Sequence, residues 1–585
     1  MAQPAMVVSA ENADAELASF FEAFDQAELA RAPQSQSYRG IKTDYGKWND
    51  NSDKAAQAAH AARGRALVEM RARFGDAPLS AESRLSYRLF EKQMDRQIRA
   101  FGYRDYGYVY THSGGPQTSY TAFLTNIHRV VSKADAEAYV MRLEGLGAAI
   151  DQDIAESERR AALGVLPPKW VYPVVLADVR GVLSGAPFGG EGISPLMADF
   201  LGKLAALKLP EAEQAALQAR AEAALTTSVA PAFERFIAMV EQQQAAAGDV
   251  DGVWRFDRGG DYYQTQLDGY TTTSMSADDI HALGLAQVAR IHGEMMDVAK
   301  RLGFKGDLPA FLDAMRNNRE FILPEGEAGK AEWLARANGF LADIKPKLPQ
   351  YFKRLPEAPV VVKAVEPFRE KSAGKAFYQS PAEDGSRPGT VYVNLFRMED
   401  MPTIEIEPLT YHEGMPGHHL ERANATELKN VPPFRRYGRF TAYTEGWGLY
   451  SERLAKDMGQ YRDPNSDFGR LQLELHRAIR LVVDTGIHHK RWSKAEAAEY
   501  TRKNSADPLG GIEKAMQRYT MNPGQATAYM IGRLKILELR DRAQNALGAA
   551  FDIREFHDEI LKTGAVPLDI LEENVDTWIA ANRQS

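Results

Sequence analysis

Apolar residues recur at spacings of three and four over most of the chain, the period of a helix with one face turned inward. The segments "ADAELASFFEAFDQAELARA", "SRLSYRLFEKQMDRQIRAF" and "EAEQAALQARAEAALTTSVAPAFERFIAMVEQQQAA" carry the pattern clearly, and each predicts an amphipathic helix. "TSMSADDIHALGLAQVARIHGEMMDVAKRLG" adds explicit ends: Ser276 with Asp279 three residues on is a capping start, and Gly303 marks the stop. Later helices are predicted in "FTAYTEGWGLYSERLAKDMG", in "DFGRLQLELHRAIRLVVDTGIHHKRW" and in "NPGQATAYMIGRLKILELRDRAQNAL". In the last of these Asn522 is expected as N-cap, Pro523 at the first helical position and Gln525 three after the cap.

Strand signals cluster in one place. "APVVVKAVE", "GKAFYQSP" and "GTVYVNLF" are short, β-branched or aromatic, and are separated by the turn residues Asp384-Gly385 and Arg387-Pro388-Gly389. They predict a small sheet over about 359–397, beside a histidine cluster that follows. No repeat of 20–50 residues is evident. The expected fold is mainly α. Residues 1–10 are expected to be a leader remnant or an unstructured terminus. Residues 11–250 form an N-terminal helical region, and 251–585 hold the sheet and the histidine cluster, all within one continuous structural unit.

Composition narrows the function classes. The 585 residues are 44% hydrophobic and 26% charged, and a formal net charge of -8 argues against a nucleic-acid binder, which would show a basic stripe. No run approaches the roughly 18 apolar residues of a membrane span, so a soluble chain is expected. There is no cysteine, which excludes thiol catalysis, thiolate ligation and disulfides and leaves any metal to His, Asp and Glu. For the same reason no lipid anchor is expected. Val8-Ser9-Ala10 resembles the small-residue end of a signal peptide, with the mature protein starting near Glu11, although no charged segment or long apolar core precedes it. A periplasmic or secreted location is therefore expected, with a cytoplasmic one as the alternative.

The chemistry concentrates in "EPLTYHEGMPGHHLERA", residues 407–423. His412-Glu413 followed by His418-His419 approaches the His-Glu-x-x-His pattern, in which two histidines one turn apart grip zinc. On a straight helix His412 and His418 would lie about 600° apart and face nearly opposite ways, while His412 and His419 would be roughly 10 Å apart along the axis. Pro416 breaks such a helix, and Gly414 and Gly417 let the chain bulge. With two residues looped out, His418 takes the place of the second zinc ligand, Glu413 becomes the general base that activates water, and His419 is left over. His419 remains the alternative second ligand. A third ligand is expected from Glu445 in "TAYTEGWGLYSER", and Glu452, seven residues on along the same helix face, is suited to orient a histidine from behind.

"EIEPLTYHEGMPGHHL", "TEGWGLYSE", "VVDTGIHHKRWS" and "NPGQATAYMIGRLKI", in that order, resemble the bacterial family designated domain of unknown function 885, over roughly residues 255–545. "DYYQTQLDGYTTT" and "GTVYVNLF" match it as well. That family in turn resembles the helical gluzincin metallopeptidases, the group of carboxypeptidase Taq, thimet oligopeptidase and angiotensin-converting enzyme. The resemblance implies a large helical body with a central cleft, zinc on His412, His418 and Glu445, and Glu413 as base. The relatives carry an uninterrupted His-Glu-x-x-His; this chain does not. Helical gluzincins also stabilise the oxyanion with a tyrosine or histidine, for which Tyr529 is the candidate and Tyr519 the alternative. His488 is a candidate substrate contact, and Arg480 and Arg533, with Arg477, are candidates for a substrate carboxylate. Thr390–Phe396 is expected as an edge strand that takes an extended substrate, with Asn394 reaching its backbone.

The function expected is a zinc-dependent hydrolase of amide bonds in short peptides, of carboxypeptidase or dipeptidase type, using one zinc ion or another divalent metal. Two alternatives stand beside it. One is a metal-dependent amidase acting on a cell-wall fragment or other small amide; the other is a metal-free binding protein. The oligomeric state is not legible in the sequence.

Overall fold

Serine starts many of the helices in the first 250 residues. Ser52, Ser80, Ser132 and Ser194 each accept a hydrogen bond from the backbone N–H three positions on, at 3.3, 3.2, 3.2 and 3.4 Å, which satisfies a donor the helix start would otherwise leave unpaired. The structure is a computed structural model that describes residues 10–365, 370, 373–381, 387–429 and 431–583. The first nine residues of the expected leader remnant and the turn at Asp384-Gly385 lie outside the described residues. The described chain divides into two compact units, one ending at Val250 and one running from Asp251. It is mainly α, with one small sheet among the described residues.

In the N-terminal unit the helix Lys133–Ala162 buries Tyr139, Val140, Leu143, Leu146 and Ile150 and packs on Ala230–Ala246. The long helical pattern ahead of residue 246 is interrupted by a π turn at Leu225–Val229. Pro231 follows two residues after the turn, and the wider turn accommodates its missing N–H and its ring. Ser228 Oγ in that turn donates to Glu144 O at 2.9 Å and accepts from Gly147 N at 3.2 Å, which ties the turn to its neighbour.

The C-terminal unit holds the histidine cluster. Helix α1 (Ala277–Arg301) starts at Ser276, which accepts from Asp279 N at 3.1 Å, and Gly303 follows its end at φ +73°. The three predicted strands form: β1 (Val360–Ala364), β2 (Ala376–Gln379) and β3 (Gly389–Val393). β3 lies in the middle, parallel to β1 with Val362 opposite Val391, and antiparallel to β2 with Tyr378 opposite Val391. The expected edge-strand role of Thr390–Phe396 is thereby corrected, because neighbours already engage β3 on both sides. Val391, Val393 and Leu395 join a core cluster with Trp333, Met398, Ile406 and Leu409. Ile406 and Leu409 belong to α2 (Ile406–Glu413), so the sheet fixes the helix that carries His412.

Helices α3 (His418–Thr426), α4 (Thr441–Asp457), α5 (Pro464–His488), α6 (Leu509–Met521) and α7 (Ala528–Leu547) complete the surroundings. α1 packs along α5, and α4 packs along α7. The second pair is close: a Cβ on Gly532 would lie 1.7 Å from Ala442 O, and one on Gly446 would lie 2.5 Å from the Gly532 backbone. The start of α7 differs from the sequence expectation. Asn522 ends α6 instead of capping α7, Gly524 takes φ +82°, a short 3-10 turn covers Gln525–Thr527, and α7 begins at Ala528. The buried Asp484 carboxylate captures Gly524 N at 2.9 Å, and Asn522 Oδ1 accepts from Tyr270 O–H at 3.0 Å, so neither is available to cap. Tyr529 consequently sits on the first turn of α7.

Candidate metal centre

The sequence break at Pro416 is a break in the structure. α2 ends at Glu413, a turn covers Gly414–Gly417, and α3 starts at His418. The glycines are needed because the turn folds onto its own backbone. A Cβ on Gly417 would lie 1.9 Å from His412 O, and one on Gly414 would lie 2.7 Å from Thr410 O. His419 N closes the turn on Gly414 O at 3.1 Å. α4 grips it from the side: Trp447 Nε1 donates to Pro416 O at 3.0 Å and Ser451 Oγ to the same oxygen at 3.3 Å. The expected bulge is thus a change of helix, and it brings His412 and His418 together with ring centroids 4.7 Å apart.

Glu445 of α4 meets both imidazoles. Its Oε2 lies 3.6 Å from His412 Nε2 and 3.4 Å from His418 Nε2, and a ligand atom from each of the three residues lies within 4.8 Å of the others. Two ligand atoms held 2.0–2.1 Å from one tetrahedral zinc are about 3.3 Å apart, so the two measured separations fit such an ion. His412 Nδ1–H donates to Glu452 Oε1 at 2.7 Å, which turns Nε2 toward Glu445. A Cβ on Gly448 would come within 2.8 Å of the His412 ring, so glycine leaves the imidazole its place. His418 Nδ1 is buried without a hydrogen-bond partner among the described residues. Burial opposes protonation of His412, but the bonds to Glu445 and Glu452 outweigh it and lift the imidazole to about 10. Burial raises Glu445, and the two histidines override that and hold it well below the usual carboxylate range. A cation bound at His412 Nε2 would compete with that proton, because a ligating imidazole must give it up.

The other candidates separate by their partners. His419 donates Nε2–H to Ala358 O at 3.0 Å and accepts at Nδ1 from Tyr378 O–H at 2.9 Å, so it pins β2 to α3 and has no nitrogen left for a metal. Asn394 Nδ2 donates to Glu370 O at 2.7 Å and Ala373 O at 2.9 Å, which corrects its assignment to substrate backbone. His488 is corrected likewise: Nε2–H donates to Tyr519 O at 3.0 Å and Nδ1 accepts from Val253 N at 3.3 Å. Arg533 is ion-paired with Glu474 at 3.0 Å, a carboxylate shared with Arg470 at 3.2 Å, so it belongs to a buried structural network. Arg477 Nη2 lies 3.7 Å from Glu452 Oε1, behind His412.

Tyr529 and Arg480 lie together, with the Arg480 guanidinium 4.4 Å from the centroid of the Tyr529 ring. Arg518 Nη2 donates to Tyr529 Oη at 3.3 Å, which leaves the phenol proton free to donate elsewhere. The alternative, Tyr519, accepts from Arg480 Nε at 3.0 Å and donates to His476 Nε2 at 3.3 Å. His476 Nδ1–H in turn donates to Asp507 Oδ2 at 2.8 Å. This chain from Asp507 to Arg480 was not legible in the sequence, because its members come from α5, α6 and the loop before α6 without a fixed spacing.

The model of the family described as "Bacterial protein of unknown function (DUF885)" matches residues 33–575. The chain belongs to the DUF885 family. A DUF885 chain of this fold has solved counterparts. A crystal structure of a candidate lipoprotein from Colwellia psychrerythraea superposes with a TM-score of 0.90 at 29% identity, covering 98% of this chain and 100% of that one. A candidate lipoprotein of unknown function from Shewanella oneidensis shares the fold with a TM-score of 0.73 at 16% identity, covering 95% and 99%. No curated protein matches the chain. No helix among the described residues is long and apolar enough to cross a membrane.

Proposed function

We propose that this DUF885 protein is a metal-dependent hydrolase that takes one zinc ion at His412, His418 and Glu445 and cleaves amide bonds in short peptides. The observation that carries the reading is the meeting of two imidazole nitrogens and one carboxylate oxygen at separations of 3.4 and 3.6 Å on the Glu445 side. Three protein ligands with one open position are the donor set of catalytic zinc, whereas structural sites are closed by four. Zinc held there supplies Lewis acidity toward a carbonyl oxygen and lowers the pKa of water.

The chain's own residues then divide the work. Glu452 fixes the His412 tautomer, so that Nε2 is the ligating atom. Glu413 directly follows His412; it accepts the proton of the attacking water and delivers it to the leaving amine. The water oxygen joins the acyl carbon as the C–N bond breaks, giving one acid and one amine. Tyr529 donates its O–H to the oxyanion that develops on the former carbonyl oxygen. The resemblance to helical gluzincins supports the same roles for the same residue types. The description of the Colwellia psychrerythraea neighbour as a candidate lipoprotein supports placing this chain outside the cytoplasm, in the periplasm.

The test is hydrolysis of a mixed short-peptide library by zinc-loaded protein, with and without a chelator. Cleavage that the chelator abolishes and zinc restores is the result expected. Zinc-loaded protein that cleaves no peptide but opens small non-peptide amides transfers the site to the amidase reading, and protein that takes up no metal removes the hydrolase reading altogether.

A further inference from the structure

We infer that the substrate of this site carries a free carboxylate, and that the buried guanidinium of Arg480 receives it. The inference rests on the hydrolase reading above and names its substrate class: peptides cut at the amide beside their C-terminal carboxylate.

Arg480 is 7% exposed on α5. No carboxylate lies within 4.0 Å of it among the described residues, unlike its neighbours on the same helix: Arg470 pairs with Asp467 at 3.0 Å and Glu474 at 3.2 Å, and Arg477 approaches Glu452 at 3.7 Å. Its Nη1 is buried with no hydrogen-bond partner among the described residues. A guanidinium does not relieve burial by losing its proton, so an unpaired one is costly and calls for a counter-anion. The aromatic face of Tyr529 and the phenol oxygen of Tyr519 offset part of that cost. Neither supplies the negative charge.

The guanidinium is also held in one pose. Gln472 and His476 anchor the Asp507 carboxylate at 2.7 and 2.8 Å, His476 takes the Tyr519 proton at 3.3 Å, and the Tyr519 oxygen therefore faces Arg480 Nε at 3.0 Å. A relay of that kind makes Tyr519 and His476 positioning residues and leaves Nη1 as the open donor. Burial works against the Arg480 charge, and Tyr519, Tyr529 and Glu445 counter it and hold the proton on. Tyr529, on which Arg480 stacks, lies three residues before Gly532, and Gly532 packs against Gly446, the residue next to Glu445. Glu445 itself turns toward His412 and His418 and is not its partner. A carboxylate fits a guanidinium with two parallel N–H···O bonds, a neutral amide does not, and the difference is the specificity the site would show.

Two measurements test this. The first compares hydrolysis of N-acetyl dipeptides with Ala, Leu, Phe, Lys and Glu at the C-terminal position against the same compounds as C-terminal amides. Zinc-loaded protein is expected to favour the acids by about 10²-fold in kcat/KM, chiefly through KM, and Arg480→Met to bring the ratio near one. The second is calorimetry of N-acetyl amino acids and their amides on chelator-treated full-length protein, where no metal competes for the carboxylate. The acids are expected to bind at least about tenfold more tightly than the amides, with the preference lost in Arg480→Met and weakened in Tyr519→Phe. Equal hydrolysis of acids and amides by wild-type protein, or equal binding or no binding of the two, overturns the carboxylate assignment without touching the metal site. An acid preference in calorimetry without any zinc-dependent hydrolysis leaves Arg480 as an anion receptor and removes the hydrolase reading. The wild-type comparisons need no variant, so a misfolded Arg480→Met protein does not rescue the idea.

Discussion

At position 412 one imidazole meets two carboxylates, Glu452 behind it and Glu445 in front. Glu452→Gln keeps the shape but offers a neutral acceptor, so zinc affinity is expected to fall about ten- to a hundredfold, measured by competition with a chromophoric chelator; unchanged affinity would show that Glu452 does not orient His412. Glu413→Gln is expected to retain zinc at full stoichiometry and to lose about 10²–10⁴ in kcat/KM; a variant with wild-type rates would remove the assigned base. The meeting of His412 with Glu445 and Glu452 was legible in the sequence because the chemistry of these residues and the spacing of the two acids along one helix agree. His418 and His419 were not separable, since adjacent residues at a helix start differ by about 100° and the angle of the break decides which one faces Glu445. Asn394 and His488 show the opposite case. Residue type tells what a side chain can bind, while the backbone carbonyls that claim it come from remote segments.

The metal centre is built from a broken helix pressed against a straight one, and glycine makes the contacts possible. Gly448→Ala would place a methyl 2.8 Å from the His412 ring, and it is expected to weaken zinc binding with a smaller change in stability. Gly532→Ala would put a Cβ 1.7 Å from Ala442 O, forcing α4 and α7 apart. A loss of about 1–3 kcal/mol or more is expected, read as a fall in the urea unfolding midpoint; an unchanged midpoint would contradict the close packing. Element identity was largely written in the periodicity: the three strands and the helices carrying Glu445 and Arg480 are where the pattern puts them. Pairing and exact starts were not. β3 is central because β1 and β2 both return to it, and α7 starts late because Asp484, on α5, holds the Gly524 N–H. Both facts depend on contacts far apart in the chain, to which a local period is blind.

Across the molecule, mainly helical architecture follows from a period that buries one stripe of each helix, and it was legible from the chain alone. What the pattern concealed is how many polar groups the interior holds. His419, His488 and His557 are buried and neutral, lowered by burial to about 4, 4 and 3. His557 donates Nδ1–H to Tyr351 O at 2.8 Å and accepts from Tyr450 O–H at 2.8 Å. In the unfolded chain each titrates near 6.5, so below that pH the unfolded state binds more protons than the folded one. Their stabilisation is complete above about pH 6.5 and is lost as pH falls toward 4, each with a slope of up to about 1.4 kcal/mol per pH unit. Urea midpoints measured at pH 7 and pH 5 are expected to drop accordingly; equal midpoints would contradict buried neutral histidines. The central claim is that three side chains converge on one cation, and the most direct measurement is a crystal of zinc-soaked protein with anomalous diffraction collected above and below the zinc edge. The account predicts one full-occupancy peak about 2 Å from His412 Nε2, His418 Nε2 and a Glu445 oxygen, with His419 uninvolved. No peak there, or a peak held by other residues, would contradict it.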